Sequence, residues 1–147
     1  MKNLYNIRVY GILINAADEI LVTDEFRMGM NMTKFPGGGL EAGEGLIDAL
    51  KREWQEELAV EIEIQAHFYT TDNYIKSAFN NLQLLSIYYL VQLKEKVEIP
   101  VVERPFTFAS RIDGAQCFRW IRRSKLAEKD FTFPIDKKVA LMLKTIK

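Results

Sequence analysis

The sequence has one cysteine, Cys117, and one histidine, His67, among its 147 residues. A lone cysteine excludes an intramolecular disulfide, and the two residues are too few for a structural zinc site of the Cys/His type. Any metal must therefore be held by oxygen. Net charge is also lacking: 20 Lys and Arg balance 20 Asp and Glu, so no global field draws the chain onto nucleic acid or an anionic membrane. No apolar run approaches the roughly 20 residues of a membrane span. Residues 1–10 have neither the long apolar stretch nor the small-residue cleavage site of a signal peptide. The expectation is a cytoplasmic protein with no stable nucleic-acid partner and no membrane partner. Self-association as a homodimer stays open.

What is present is the composition of an ordinary globular chain, 48% hydrophobic and 27% charged, long enough to bury a core. Residues 1–147 are expected to form a single domain, without internal repeat or linker. Residues 7–14 alternate as a strand, and residues 20–23 read as its hairpin partner. Residues 24–34 show neither period and are expected to be an exposed loop before the turn Phe35-Pro36-Gly37-Gly38-Gly39. Leu46, Ile47, Leu50, Trp54 and Leu58 recur at helical spacing with no interior Gly or Pro, which predicts an amphipathic helix over 46–58. Residues 60–71 are β-rich, 72–81 form a polar loop, and 82–93 make the longest strand; these two strands are expected at the centre of the sheet. Residues 94–105 read as a loop with at most a short strand. A short strand follows at 117–121, and a closing helix begins after Pro134. The basic run Arg122 to Lys125 reads as a solvated turn, His67 as an ordinary strand residue and Cys117 as a small core residue.

Glu53, Glu56 and Glu57 stand at i, i+3 and i+4, on one side of the helix within a single turn. At 100° per residue Glu57 falls beside Leu46 and Leu50, and Glu53 lies at the edge of the same apolar stripe. Like charges at this spacing destabilise a helix by roughly 0.2–0.5 kcal/mol per pair, and partial burial adds to that. A hard divalent cation reverses the sign, and such ions are commonly held by one or two carboxylates together with substrate phosphates. The competing explanation is a solvated acidic face supported by Arg52, four residues before Glu56. Gly37, Gly38 and Gly39 let backbone approach a metal or phosphate closely.

Gly38, Glu44, Arg52, Glu53, Trp54, Glu56, Glu57, Ala59 and Val60 resemble the signature of the Nudix hydrolases, Gly-x5-Glu-x7-Arg-Glu-U-x-Glu-Glu-x-Gly-U with U a bulky apolar residue. Six of its seven fixed positions match; Ala59 replaces the last glycine. A left-handed residue often caps a helix at that point, and alanine there costs roughly 1–2 kcal/mol or forces another exit. The resemblance implies an α/β/α sandwich with a mixed β-sheet. It also implies hydrolysis of a nucleoside diphosphate linked to another moiety, a nucleotide or nucleotide sugar for instance, by water attack assisted by Mg²⁺ or Mn²⁺. The alternative within the same fold is a sensor that binds a nucleotide without cleaving it.

Through the same resemblance Glu53, Glu56 and Glu57 are the expected metal ligands and catalytic carboxylates, with the carbonyl of Gly37 or Gly38 as a further ligand. Glu44 and Arg52 brace the loop against the helix, a role that suits a planar guanidinium. Glu56 is the first choice for the base that takes the proton of the attacking water, with Glu95, Glu98 and Glu103 as alternatives from a late loop. Arg27 and Lys34 are candidate phosphate contacts. Phe35 and Tyr74, and with less support Phe79, Phe131 and Phe133, are candidates to stack on a base. Specificity is expected from the loops at 24–34, 72–81 and 94–115.

Overall fold

A computed structural model describes residues 4–146. In chain order its elements are β1 (Tyr5–Leu13), β2 (Glu19–Arg27), β3 (Met30–Lys34), β4 (Gly37–Gly39), α1 (Leu46–Leu58), β5 (Ile62–Thr70), β6 (Gln83–Leu93), β7 (Ala115–Arg122), two single-turn 3-10 helices (Arg123–Lys125 and Glu128–Asp130) and α2 (Pro134–Thr145). This is a mixed α/β fold with two sheets where a single sheet was expected. The chain divides into two compact units that interleave in sequence. One takes the residues up to Ile12 and Pro36–Val97, the other Leu13–Phe35 and the residues from Glu98 on. Of the N-terminal stretch read for a signal peptide, residues 1–3 lie outside the described residues.

The first unit is built on a four-stranded sheet of order β4-β1-β6-β5. The strand over 82–93 is central as expected, but the one over 60–71 is an edge. β4 runs antiparallel to β1, with Val9 opposite Gly38. β5 pairs antiparallel with β6 and loses register between Ile64 and Ala66 and between His67 and Tyr69. Such irregularities blunt an edge against further pairing. α1 has the predicted bounds and buries Ala49, Leu50 and Trp54, whereas Ile47 is left exposed. The Trp54 indole N–H donates to the Pro36 carbonyl at 3.2 Å, which fixes the rotation of the helix about its axis. His67 is an exposed β5 residue, its Nε2 2.7 Å from Thr70 Oγ1.

Ala59 resolves the expectation set by the missing glycine. It keeps the left-handed conformation, φ 54° and ψ 36°, and its N–H closes the helix onto the Gln55 carbonyl. The exit geometry is retained and the alanine carries the strain. Ala59→Gly is therefore expected to stabilise the protein by about 1 kcal/mol, the relief of the Cβ clash less the added freedom of the unfolded chain. A higher urea midpoint at unchanged slope would show it.

The second unit contains a three-stranded antiparallel sheet of order β3-β2-β7. Residues 24–34 are thus the end of β2 and all of β3, not a loop. Met28 and Gly29 both have positive φ, 52° and 75°, as a two-residue hairpin turn with the twist of its strands requires. Met at the first of these positions is not a turn signal. The strand pattern is hidden as well, because Thr23, Asp24, Glu25, Thr33 and Lys34 are all buried. Residues 94–105 hold no strand, although the Val102 N–H donates to the Phe118 carbonyl at 2.8 Å. Pro134 opens α2, where its missing N–H removes a donor that would have no helical partner.

Arg123 is a structural brace and not part of a solvated turn. It grips Asp18 at 2.8 and 3.1 Å and donates to the Leu143 and Ile146 carbonyls at the end of α2, where a cation complements the helix dipole. The hydrogen bonds to Asp18 raise its pKa further.

Candidate active site

In the first unit, β4 and α1 bring the glycine turn against the acidic helix. Gly38 presents its Cα to the end of the Glu53 side chain: a Cβ there would meet the carboxyl carbon and lie 2.5 Å from both carboxylate oxygens. Only glycine leaves room, which gives a physical reason for this residue in the signature. The Glu53 side chain is 15% exposed and that of Glu56 59%. Glu57 is half-buried, with its Oε2 shielded from solvent. The helical-wheel reading holds in that neither Glu53 nor Glu57 points to open water.

Arg52 organises the site. Its Nε and Nη2 form a fork on Glu44 at 3.0 and 2.6 Å, and Nη2 also donates to the Gly39 carbonyl at 3.0 Å. Nη1 donates to Glu53 Oε1 at 3.0 Å and to Glu56 Oε2 at 3.3 Å, with Glu41 Oε1 3.7 Å away. The structure thus brings Glu44 and Arg52 together as a bidentate brace, and it also forms the Arg52–Glu56 pair of the competing explanation. Glu41 was not singled out from sequence, since nothing in its spacing separates it from the exposed acids.

The Arg52 guanidinium, and next the Glu41 N–H that donates to Glu44 Oε1 at 2.8 Å, hold the Glu44 carboxyl below the usual carboxylate range. The same hydrogen bond to Glu44 moves Arg52 still further from deprotonation. A carboxyl with a depressed folded pKa contributes stability that is complete above its unfolded pKa of about 4.3 and is lost as pH falls through the folded value. The Tm difference between wild type and Glu44→Gln should therefore be full at neutral pH and shrink on acidification below about pH 4. Thermal melts across that range check it.

Among the described residues no three His, Cys, Asp or Glu side chains gather into a ready metal-ligand set. The donor chemistry nevertheless fits a hard divalent cation. The side-chain candidates are carboxylates, and the backbone of Gly38 lies against one of them with no Cβ between.

The remaining candidates belong to both units. In the first unit Tyr74 and Phe79 are exposed, and Glu95 is exposed in the segment after β6. In the second unit Glu98 and Glu103 are exposed and Phe133 is half-buried. Phe35 and Phe131 are core residues with stacked rings 4.6 Å apart, 0% and 2% exposed. Neither ring offers a free face for a base. Lys34 is buried and pairs with Glu25 at 3.1 Å, while Arg27, largely exposed, lies 3.5 Å from the same carboxylate. Glu25 therefore offsets the charges expected to meet phosphate. Cys117 is buried, and burial first and the Asp24 charge second push its thiol pKa up, which makes it inert as a nucleophile.

A model of the NUDIX domain family matches residues 4–141. The fold is also that of solved structures. A NUDIX hydrolase from Nitrosomonas europaea is 21% identical with a TM-score of 0.66, over 91% of this chain and 84% of that one. A MutT NUDIX hydrolase from Burkholderia pseudomallei is 18% identical with a TM-score of 0.67, over 99% and 100%. An ADP-ribose pyrophosphatase from Streptococcus suis is 14% identical with a TM-score of 0.61, over 97% and 93%. No curated protein matches. Among the described residues no helix is long and apolar enough to cross a membrane.

Proposed function

The chain belongs to the NUDIX domain family, a family of hydrolases that generally use divalent metals, and from that premise we propose that it hydrolyses the pyrophosphate of a nucleoside diphosphate linked to another moiety. The observation that carries this reading is the Glu53 carboxylate seated against Gly38, with Glu56 one turn on and the Glu44–Arg52 fork fixing the loop beside them. Glu53, Glu56 and Glu57, with the Gly38 carbonyl, would hold Mg²⁺ or Mn²⁺. Such an ion neutralises phosphate charge and lowers the pKa of bound water.

The chain's own residues divide the remaining work. Glu56, the exposed member of the acidic set, accepts the proton of the attacking water, a task open to an exposed late-loop acid among Glu95, Glu98 and Glu103 if Glu56 is fully engaged. Arg52 and Glu44 hold position and take no part in the chemistry. Arg27 and Tyr74 have exposed side chains and are the proposed substrate contacts. Of the similar structures, the Streptococcus suis protein is named for ADP-ribose and the Burkholderia pseudomallei protein for no substrate, so the reading stops at the class of compound. The partner is a small molecule, with neither nucleic acid nor membrane required, and the setting is the cytoplasm.

Incubating the protein with Mg²⁺ or Mn²⁺ and a panel of nucleoside triphosphates, nucleotide sugars, dinucleoside polyphosphates and coenzymes tests the reading. Metal-dependent cleavage of at least one at its pyrophosphate supports it. A folded protein that turns over none of them overturns it, and tight calorimetric binding without product assigns the chain to the sensor alternative.

A further inference from the structure

Every N–H of the Arg52 guanidinium has an acceptor. Nε–H is given to Glu44 Oε2, the two of Nη2 to Glu44 Oε1 and the Gly39 carbonyl, and the two of Nη1 to Glu53 Oε1 and Glu56 Oε2. The two ends of the group differ in setting. The Nε and Nη2 end is anchored by a bidentate pair and a backbone carbonyl. The Nη1 end bridges the two carboxylates that would hold a metal ion, with one bond to each, at 3.0 and 3.3 Å. Glu41 Oε1 stands 3.7 Å from the same nitrogen on a side chain that is 69% exposed. Glu41 is thus an acceptor already in reach of an Nη1 that loses its partners.

Resting on the metal-dependent reading above, we infer that Arg52 is a resident cation of the Glu53–Glu56 pair, which a divalent metal must displace from those carboxylates. The guanidinium keeps its hold on Glu44 and Gly39, and Nη1 passes from Glu53 and Glu56 to Glu41. Without metal this arrangement relieves the repulsion between two acids one turn apart on a helix. With metal it opposes binding, because a unit positive charge within a few ångströms of a divalent ion weakens its affinity by about tenfold or more, even with the screening of water. Arg52 is therefore a positioning residue that sets metal affinity as well as holding the loop.

The two roles predict opposite signs. A residue that only braces the site lets the ligands disperse when it is removed, and metal binds more weakly. A competing cation, when removed, lets metal bind more tightly even though the protein loses stability. Calorimetric titration of the full chain with Mn²⁺ alone, without nucleotide, separates them. Arg52→Gln is expected to lower the Mn²⁺ Kd about tenfold while lowering Tm. Arg52→Lys retains the charge as a point that cannot span both Glu44 and the Glu53–Glu56 pair, and is expected to fall between Arg52→Gln and wild type. Should Arg52→Gln not fold, the Lys variant decides: tighter binding than wild type supports the inference, and equal or weaker binding overturns it. Wild type that binds while Arg52→Gln binds no tighter overturns this inference alone. Wild type that binds no Mn²⁺ overturns the metal-dependent reading and this inference with it.

Discussion

Gly38→Ala is expected to lower kcat by about 100-fold or more, the effect of displacing a reacting group by roughly 1 Å, while the protein stays folded. The added Cβ would stand 2.5 Å from both oxygens of the Glu53 carboxylate. Something must move, and the obstructing atoms are the far end of a flexible side chain rather than backbone. The chain can therefore accommodate the methyl group by swinging Glu53 away, which takes the carboxylate off Arg52 Nη1 and away from the Gly38 backbone together. Fold is spared because the relief is local; activity is lost because the relief removes the geometry it depends on. Gly39→Ala is the matched control. A Cβ at Gly39 would lie 3.7 Å from Arg8 Nη1, an ordinary contact, so activity within a few-fold of wild type is expected. Turnover and thermal melts of both variants check the pair. A Gly38→Ala enzyme with wild-type kcat would remove Glu53 from the site.

That prediction needs the structure even though its residues were legible in the sequence. The signature named Gly38 and Glu53 and put one before the helix and the other within it. The spacing of Leu50 and Trp54 fixed which face turns inward, because a helix can bury only one apolar stripe. The pairing of Glu44 with Arg52 was legible through the resemblance to the signature, and a bidentate fork of guanidinium and carboxylate suits that role. That Arg52 Nη1 also reaches Glu53, with Glu41 close by, was not legible, although the i,i+4 spacing had offered the pair with Glu56. Which acids a long side chain gathers depends on the path of the loop over residues 40–45, and no periodicity encodes that path. The hairpin of β2 and β3 escaped for a different reason. Alternation marks a strand when one face is apolar and the other wet, but here Asp24, Glu25, Thr33 and Lys34 are buried polar residues that satisfy one another. Phe35, a candidate to stack on a base, is a core residue instead, and its burial depends on Phe131, about a hundred residues away in sequence.

The buried polar residues of that hairpin carry the largest expected effect on stability. Asp24 is fully buried and uses both carboxylate oxygens. Oδ1 accepts from Thr33 Oγ1 at 2.6 Å and Arg119 Nη2 at 3.1 Å, and Oδ2 from Arg119 Nε at 2.7 Å and the Phe106 N–H at 3.2 Å. Asp24→Ala leaves the Arg119 guanidinium, itself mostly buried, with no carboxylate, and orphans a hydroxyl and an amide. A loss of about 3–5 kcal/mol is expected, a large share of the roughly 5–15 kcal/mol that holds a typical domain folded, with Tm lower by on the order of 10 °C. Two contributions are mixed in that figure, and a double variant separates them. Asp24→Leu with Arg119→Met removes both charges and fills much of the volume, so the penalty of an uncompensated cation disappears while the Phe106 amide stays without its acceptor. Phe106 has φ 58°, a conformation that a bulky side chain seldom adopts without support. If the double variant recovers at least half of the lost stability in urea denaturation, the stranded guanidinium accounts for most of the loss. If it remains as unstable as Asp24→Ala, the main work of Asp24 is to anchor the segment around Phe106, and Arg119 serves to hold the carboxylate for that purpose.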